Sequence, residues 1–307
     1  MYSKSYTKWL NSPNMVPMLS SAPVLTLAHV QSYRDHIYHR TWQLRLRTPD
    51  DAVRWLDEVG FAFLFPTPDF EMPSLWQAVC GTVRQAPTHH HDADLGRVWD
   101  WKDSLPTQRR VFYAKLLRGK PMLVALDRAP LFYALTENYG DPHDYLAEYE
   151  AGTLSIEAKK VYEALLEYGQ AASTGILRRQ SGLEGKAHVA RFDRAIAQLQ
   201  RSMKIVKVGI SDSNRWGYSY VYDVLPHVYP DIPTQARGIG RREAQRALLR
   251  QYIQNVGAAP ARATMRLFDW DAGTLDRLVA DLQAEGVARG AVAELDDDCL
   301  IHPRLSQ

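Results

Sequence analysis

Arg191, Arg194, Gln198 and Arg201 follow one another at intervals of three, four and three residues, the spacing that brings side chains onto one face of an α-helix. Guanidinium and carboxamide groups donate in the geometry that phosphate oxygens and base edges accept, and a helix bearing them can enter a major groove. Lys186, Lys204, Lys207 and Arg215 lie close by in sequence and extend the candidate DNA contacts. Plain solvation is the competing reading, since charged helix faces are ordinary. His89-His90-His91 with Asp92 and Asp94 contains metal-capable side chains. Consecutive histidines in a loop do not converge without special backbone geometry, so a solvated loop is expected and no metal site.

These residues need a scaffold. Ile156, Val161, Leu165 and Tyr168 carry helical apolar spacing, and Gly169 can close that helix. Ser173 and Thr174 offer caps for a short second helix through Gln180. Val189, Phe192, Ile196, Leu199 and Met203 recur at three- and four-residue intervals, one buried face of a third helix. Residues 204–210 and 215–225 are β-branched and aromatic, with Ser211-Asp-Ser-Asn214 as the turn between them. Three helices followed by a hairpin is winged-helix order. Trp216, Tyr218, Tyr220 and Tyr222 alternate on one strand face, where filling a sheet-to-helix core is favoured over stacking on bases.

Residues 240–302 read as a second, weaker copy: helix 241–256, a short helix after Pro260, helix 273–286, then strand candidates 287–293 and 299–302. Its third helix carries Asp271, Asp276, Asp281 and Glu285, a face that repels DNA and suits packing against other units. Arg237-Gly-Ile-Gly-Arg241-Arg242 before it is read as a flexible joint, with a phosphate at the helix start as the alternative. Toward the N-terminus, Thr48-Pro49 announces helix 50–59, Gly60 ends it, and Phe61-Ala-Phe-Leu-Phe65 is a buried extended segment. The expected fold is mainly α with small β-hairpins, an α+β chain of tandem winged-helix units. The divisions are an irregular arm 1–24, an N-terminal unit 25–150, a basic winged helix 151–230 and a C-terminal unit 231–307.

Charge is concentrated in the middle of the chain. Residues 153–250 hold 16 Lys and Arg against 9 Asp and Glu, a local net of +7 in a chain whose total is +2. Such a region suits a polyanion, because neutralising phosphates releases counterions. Two cysteines, Cys80 and Cys299, exclude a disulfide framework and a four-cysteine zinc site. No apolar run of secretory or membrane-spanning length occurs, so the cytoplasm is the expected compartment. No phosphate-loop or His-Glu-x-x-His motif is present, and no cofactor is expected.

Leu25-Thr-Leu-Ala-His-Val-Gln31, residues 52–60 and the basic unit at 155–225 resemble the winged-helix DNA-binding family that includes the crosslink-repair DNA glycosylases of the YcaQ and AlkZ type. Trp99-Asp-Trp-Lys-Asp103, Phe112-Tyr-Ala-Lys-Leu-Leu-Arg118 and Lys204-Ile-Val-Lys-Val-Gly209 are similar to segments of a divergent glycosylase-related subgroup. The resemblance implies double-stranded DNA, intact or damaged, as partner. It also implies a Gln-x-Gln or Gln-x-Asp pair after the early helix, positioned to hold water at a glycosidic carbon. Phe63-Leu64-Phe65 stands there instead and has no group to hold water. Gln198-Leu199-Gln200 is no substitute, because residues two apart on a helix project about 200° apart.

Chemistry at that place therefore falls to nearby carboxylates: Glu71, Asp100 and Asp103 are the candidate catalytic residues, with Asp69 beside them. Trp76, Trp99 and Trp101 are the candidates for stacking on an extruded base. The plainer reading puts the tryptophans in the core and the acids in caps or arginine pairs. The expected function is DNA binding on a DNA-glycosylase-related architecture, in DNA repair, with catalysis open. A non-enzymatic DNA-binding transcriptional regulator is the alternative, and a protein-binding scaffold a third.

Overall fold

The computed structural model describes residues 24–87, 91–136, 138–211 and 218–305. The arm up to residue 23, His89, His90, most of the 211–214 turn, Arg215 and Trp216 lie outside the described residues. Helix starts coincide with the side chains that cap them. Thr26 accepts from the His29 amide to open α1 (Leu27–Ile37). Thr48 and Asp51 cap each other's backbone amides, with Pro49 in the first turn, to open α2 (Pro49–Val59).

After α2 come β1 (Phe61–Phe63), α3 (Leu75–Cys80), α4 (Ala93–Thr107), β2 (Phe112–Ala114) and β3 (Met122–Val124). The three strands form an antiparallel sheet of order β1-β3-β2. The short helices α5 (Ala129–Tyr133) and α6 (Tyr145–Glu150) lead onward. The central unit is α7 (Ile156–Tyr168), β4 (Ala172–Ser173), α8 (Thr174–Gln180), α9 (Val189–Arg201), β5 (Ile205–Ser211) and β6 (Ser219–Val224), with sheet order β4-β6-β5. Two short helices, α10 (Leu225–Val228) and α11 (Asp231–Ala236), precede α12 (Arg241–Val256), β7 (Ala258–Pro260), α13 (Ala261–Phe268), α14 (Ala272–Gln283), β8 (Ala288–Val292) and β9 (Asp296–Ile301), whose sheet runs β7-β9-β8.

One order thus recurs three times: helix, strand, two helices, two strands, with the first strand pairing with the last. The chain is α+β, mainly helical with small antiparallel sheets.

The first sheet is buried on both faces. Ala62, Leu64 and Leu123 join Trp55, Leu56, Trp76 and Trp101 in a core against α2, α3 and α4. Phe61, Phe63, Met122 and Val124 point the other way, into a larger core shared with α5, α10, α11, α12, α13 and α14. Alternation along each strand delivers one set to each side, which is why the segment 61–65 is apolar without interruption. The central unit keeps its own core, built on Val161, Leu165, Phe192, Leu199 and Tyr222.

Helix α12 joins the ends of the chain. Asn255 Nδ2 donates to Val59 O at 2.7 Å and Gln251 Nε2 to Glu58 O at 3.1 Å, closing carbonyls at the end of α2. Buried Arg34 of α1 donates to Val256 O at 2.9 Å and Ala258 O at 2.8 Å. The acidic face of α14 is neutralised within the protein: Asp281 takes two hydrogen bonds from Arg242, and Glu285 two from Arg250. Among the described residues, no helix is long and apolar enough to cross a membrane.

Candidate nucleic-acid interface

The basic face of α9 follows from its apolar one. Phe192, Ala195, Ile196 and Leu199 are buried, so Arg191, Arg194 and Arg201 project outward and are exposed. None of the three has an acidic partner among the described residues, whereas most other arginines do. Arg178 pairs with Asp193 at 3.0 Å, Arg110 with Asp50 at 2.6 Å and Arg289 with Asp276 at 2.6 Å. Lys186, on the single turn before α9, is also exposed. Arg191, Arg194 and Arg201 line a cleft of about 420 Å³ whose far side includes Gly119, in the β2–β3 turn, and Ser155, the cap of α7.

Gln198 shares the face but has another job. Its Oε1 accepts from the Ser155 amide (3.2 Å) and hydroxyl (2.7 Å), and its Nε2 donates to Thr153 O at 2.7 Å. The amide is saturated by residues 153–155 and ties α9 to the start of α7. Gln200, two positions on, is buried, so the pair is split between surface and interior as helical geometry requires.

Lys207 is not at the surface. It lies in β5 with its side chain fully buried, donating to Lys102 O at 3.2 Å and pairing with Asp103 Oδ1. Lys102, equally buried, pairs with the same Oδ1 at 2.9 Å and donates to Tyr218 Oη (2.8 Å) and Tyr220 Oη (2.9 Å). Tyr218 Oη donates to Asp103 Oδ2 at 2.8 Å. Lys204 is buried too, pairing with Glu148 at 2.9 Å. Burial, reinforced by the Lys102 charge, lowers the Lys207 pKa to about 8 although Asp103 opposes the shift. Burial pushes the Asp103 carboxyl up, but the hydrogen bonds and charges of Lys207 and Lys102 outweigh it and hold the pKa below the ordinary carboxylate value. Asp103 is thus an ionised carboxylate with both oxygens occupied.

Two aromatic rings sit over this cluster at the surface. Trp99 is 43% exposed and Tyr218 38% exposed, and the Lys102 ammonium lies 4.8 Å and 5.5 Å from their ring centres. Phe65 packs 5.8 Å from Trp99 and 6.0 Å from Trp76. Trp76 and Trp101 are core residues, Trp76 donating its Nε1–H to Arg84 O at 2.6 Å. Of the three stacking candidates, Trp99 alone presents a ring to solvent. Asp100 is exposed on α4. Glu71 lies apart from Asp103, paired with buried Arg34 at 3.2 Å. Phe63 and Leu64 are buried core residues of the first sheet. Among the described residues no group of His, Cys, Asp or Glu has the makings of a metal site.

The sequence model of the family described as AlkZ related matches residues 46–269, which reach into all three repeats of the fold. The chain belongs to the AlkZ-related family. A solved structure, the Streptomyces sahachiroi DNA glycosylase AlkZ, is similar at 11% identity over 89% of this chain and 71% of that chain, with a TM-score of 0.48. No curated protein matches. Asp103, Lys207, Tyr218 and Tyr220 each drew attention in the sequence for other reasons, but their convergence on buried Lys102 was not legible there. One signal was available: tyrosines at period two on β6 opposite a strand with a lysine at an inward register position.

Proposed function

We propose that the protein binds DNA through the arginine face of α9 and acts in DNA repair in the cytoplasm. The carrying observation is the set of three exposed guanidiniums, Arg191, Arg194 and Arg201, without acidic partners among the described residues and ranged along one cleft. Guanidiniums in that state are free to neutralise phosphates, while those on α12 facing α14 are already neutralised. Membership in a family named for a DNA glycosylase supports damaged double-stranded DNA as the partner. Two buried free cysteines suit a reducing compartment. In this reading the three repeats are winged-helix units dividing the chain at 25–150, 151–230 and 231–307, and the central one meets DNA.

Base excision is the second reading, favoured by Asp103 lying beneath the exposed rings of Trp99 and Tyr218. An ionised carboxylate saturated by donors is a poor proton acceptor, so its role is electrostatic support of an oxocarbenium-like centre. The test is binding of a fluorescent duplex together with base release from alkylated and crosslinked DNA. Arg191, Arg194 and Arg201 to Ala together should abolish binding at physiological salt; unchanged affinity overturns the reading. Base release that disappears in Asp103→Asn supports catalysis. Its absence across a broad lesion panel leaves a DNA binder without chemistry, the regulator alternative.

A further inference from the structure

The arginine face of α9 does not stand clear of the protein as a helix read in a major groove must. It looks across a cleft to Gly119, in the turn of a different sheet, and to the first turn of α7. A second cleft of about 320 Å³ adjoins the first, sharing Gln198 and Arg201 as lining, and reaches Arg241 at the start of α12. Volumes of this order are those of small-molecule pockets. A double helix can meet the exposed arginines only at the rim of clefts this size, whereas two or three nucleotides of a single strand fit along them.

We propose that these two adjoining clefts together take one unpaired strand of DNA, so that the preferred ligand is a duplex interrupted by a single-stranded gap. The inference rests on the DNA-binding reading of α9 and specifies the form of the ligand. Arg191 and Arg201 stand ten residue steps apart along the helix, roughly 15 Å, a length that two or three extended nucleotides occupy. Arg241 carries the track beyond α9 and, like the three α9 arginines, is exposed and has no acidic partner among the described residues. Two carboxylates line the path. Glu148 is neutralised by Lys204, and Glu157 faces three arginines in the first cleft, so both clefts keep a positive balance. Gln198, fixed to Thr153 and Ser155, forms rigid lining shared by the two. Neither lining contains an aromatic side chain. The strand is therefore held by its phosphates and the preference is for unpaired backbone, not for particular bases.

The experiment measures anisotropy with three probes: a duplex of about 20 base pairs, the same duplex with a gap of about six nucleotides, and a single strand of about 12. The gapped duplex and the single strand should bind at least about 10-fold more tightly than the intact duplex. With about four phosphates neutralised, single-strand affinity should fall about 50-fold between about 50 and 200 mM salt. Arg241→Ala, off α9 and exposed, should weaken gapped-duplex binding about three- to tenfold. Ala197→Trp, on the α9 side of the first cleft, fills it without changing charge and should weaken gapped-duplex binding more than intact-duplex binding. If Ala197→Trp does not fold, Arg241→Ala carries the test. Equal affinity for intact and gapped duplexes, or gapped binding unchanged in the folded variants, overturns the proposal while the DNA-binding reading stands. If no probe binds in a salt-dependent way, the DNA-binding reading itself fails.

Discussion

Replacing Lys207 by Met should change how the protein's stability responds to alkaline pH. In the folded chain the Lys207 pKa is lowered to about 8 from 10.5, so between these values the unfolded chain binds the extra proton. Stability contributed by this group therefore rises as pH increases from about 8 toward 10.5. From pH ~7.5 to ~9.5 the gain is about 2 kcal/mol. Two thiols act in the opposite direction. Burial raises Cys80 from 9.0 to about 12 and Cys299 from 9.0 to about 11, so the unfolded chain releases protons first and stability falls as pH passes about 9. Over the same interval they remove roughly 2 kcal/mol together. The native protein's unfolding free energy, measured by urea titration at the two pH values, should therefore fall less than these thiols, and the tyrosines that burial holds above their ordinary value, would dictate alone. Lys207→Met, lacking the compensating gain, should lose about 2 kcal/mol more than the native protein across the interval. Parallel behaviour of the two proteins would refute the assignment of Lys207 as a buried ammonium disfavoured by desolvation.

Two further sites probe the joint made by α12. Gly257→Ala should cost at least about 2 kcal/mol in the same urea assay, because φ is +71° and an added Cβ would lie 2.7 Å from Tyr33 Cδ1 and 2.8 Å from Leu305 Cδ1. An effect within about 0.5 kcal/mol would contradict that packing. Arg34→Met strips the hydrogen bonds from Val256 O and Ala258 O in a buried site and should cost about 3–5 kcal/mol. Glu71→Gln, at the half-exposed end of the same ion pair, should cost less than about 1 kcal/mol. Equal costs for the two would argue that Glu71 has a role beyond supporting Arg34.

The central repeat was legible because α7 and α9 each bury one stripe, and the C-terminal one because glycines bracket α12, although that helix is buried on most sides toward its end. Helix 155–168 is found as Ile156–Tyr168, helix 241–256 as Arg241–Val256, and the Ser173 cap accepts from the Ile176 amide. In the N-terminal repeat only the first helix, expected at 50–59 and found as Pro49–Val59, and the buried segment after it were legible. Its strands are three residues long and buried on both faces, so no alternation of polar and apolar residues marks them. The exposed arginines of α9 could be read from spacing alone, whereas the roles of Gln198 and Lys207 could not. Their partners, Thr153 and Ser155 for one and Asp103 for the other, lie 43 to 104 residues away. Lysine is ordinarily a surface residue, and only the meeting of α4 with β5 and β6 shows that Lys102 and Lys207 share one carboxylate oxygen. Arg215 and Trp216, expected at the hairpin, lie outside the described residues.

The salt dependence of DNA binding tests the central claim most directly. The slope of log affinity against log salt should be steep for the native protein and shallower by about two to three in the variant with Arg191, Arg194 and Arg201 replaced by Ala, about one unit for each phosphate no longer neutralised. Identical slopes for the two proteins would contradict the assignment of DNA binding to the exposed face of α9.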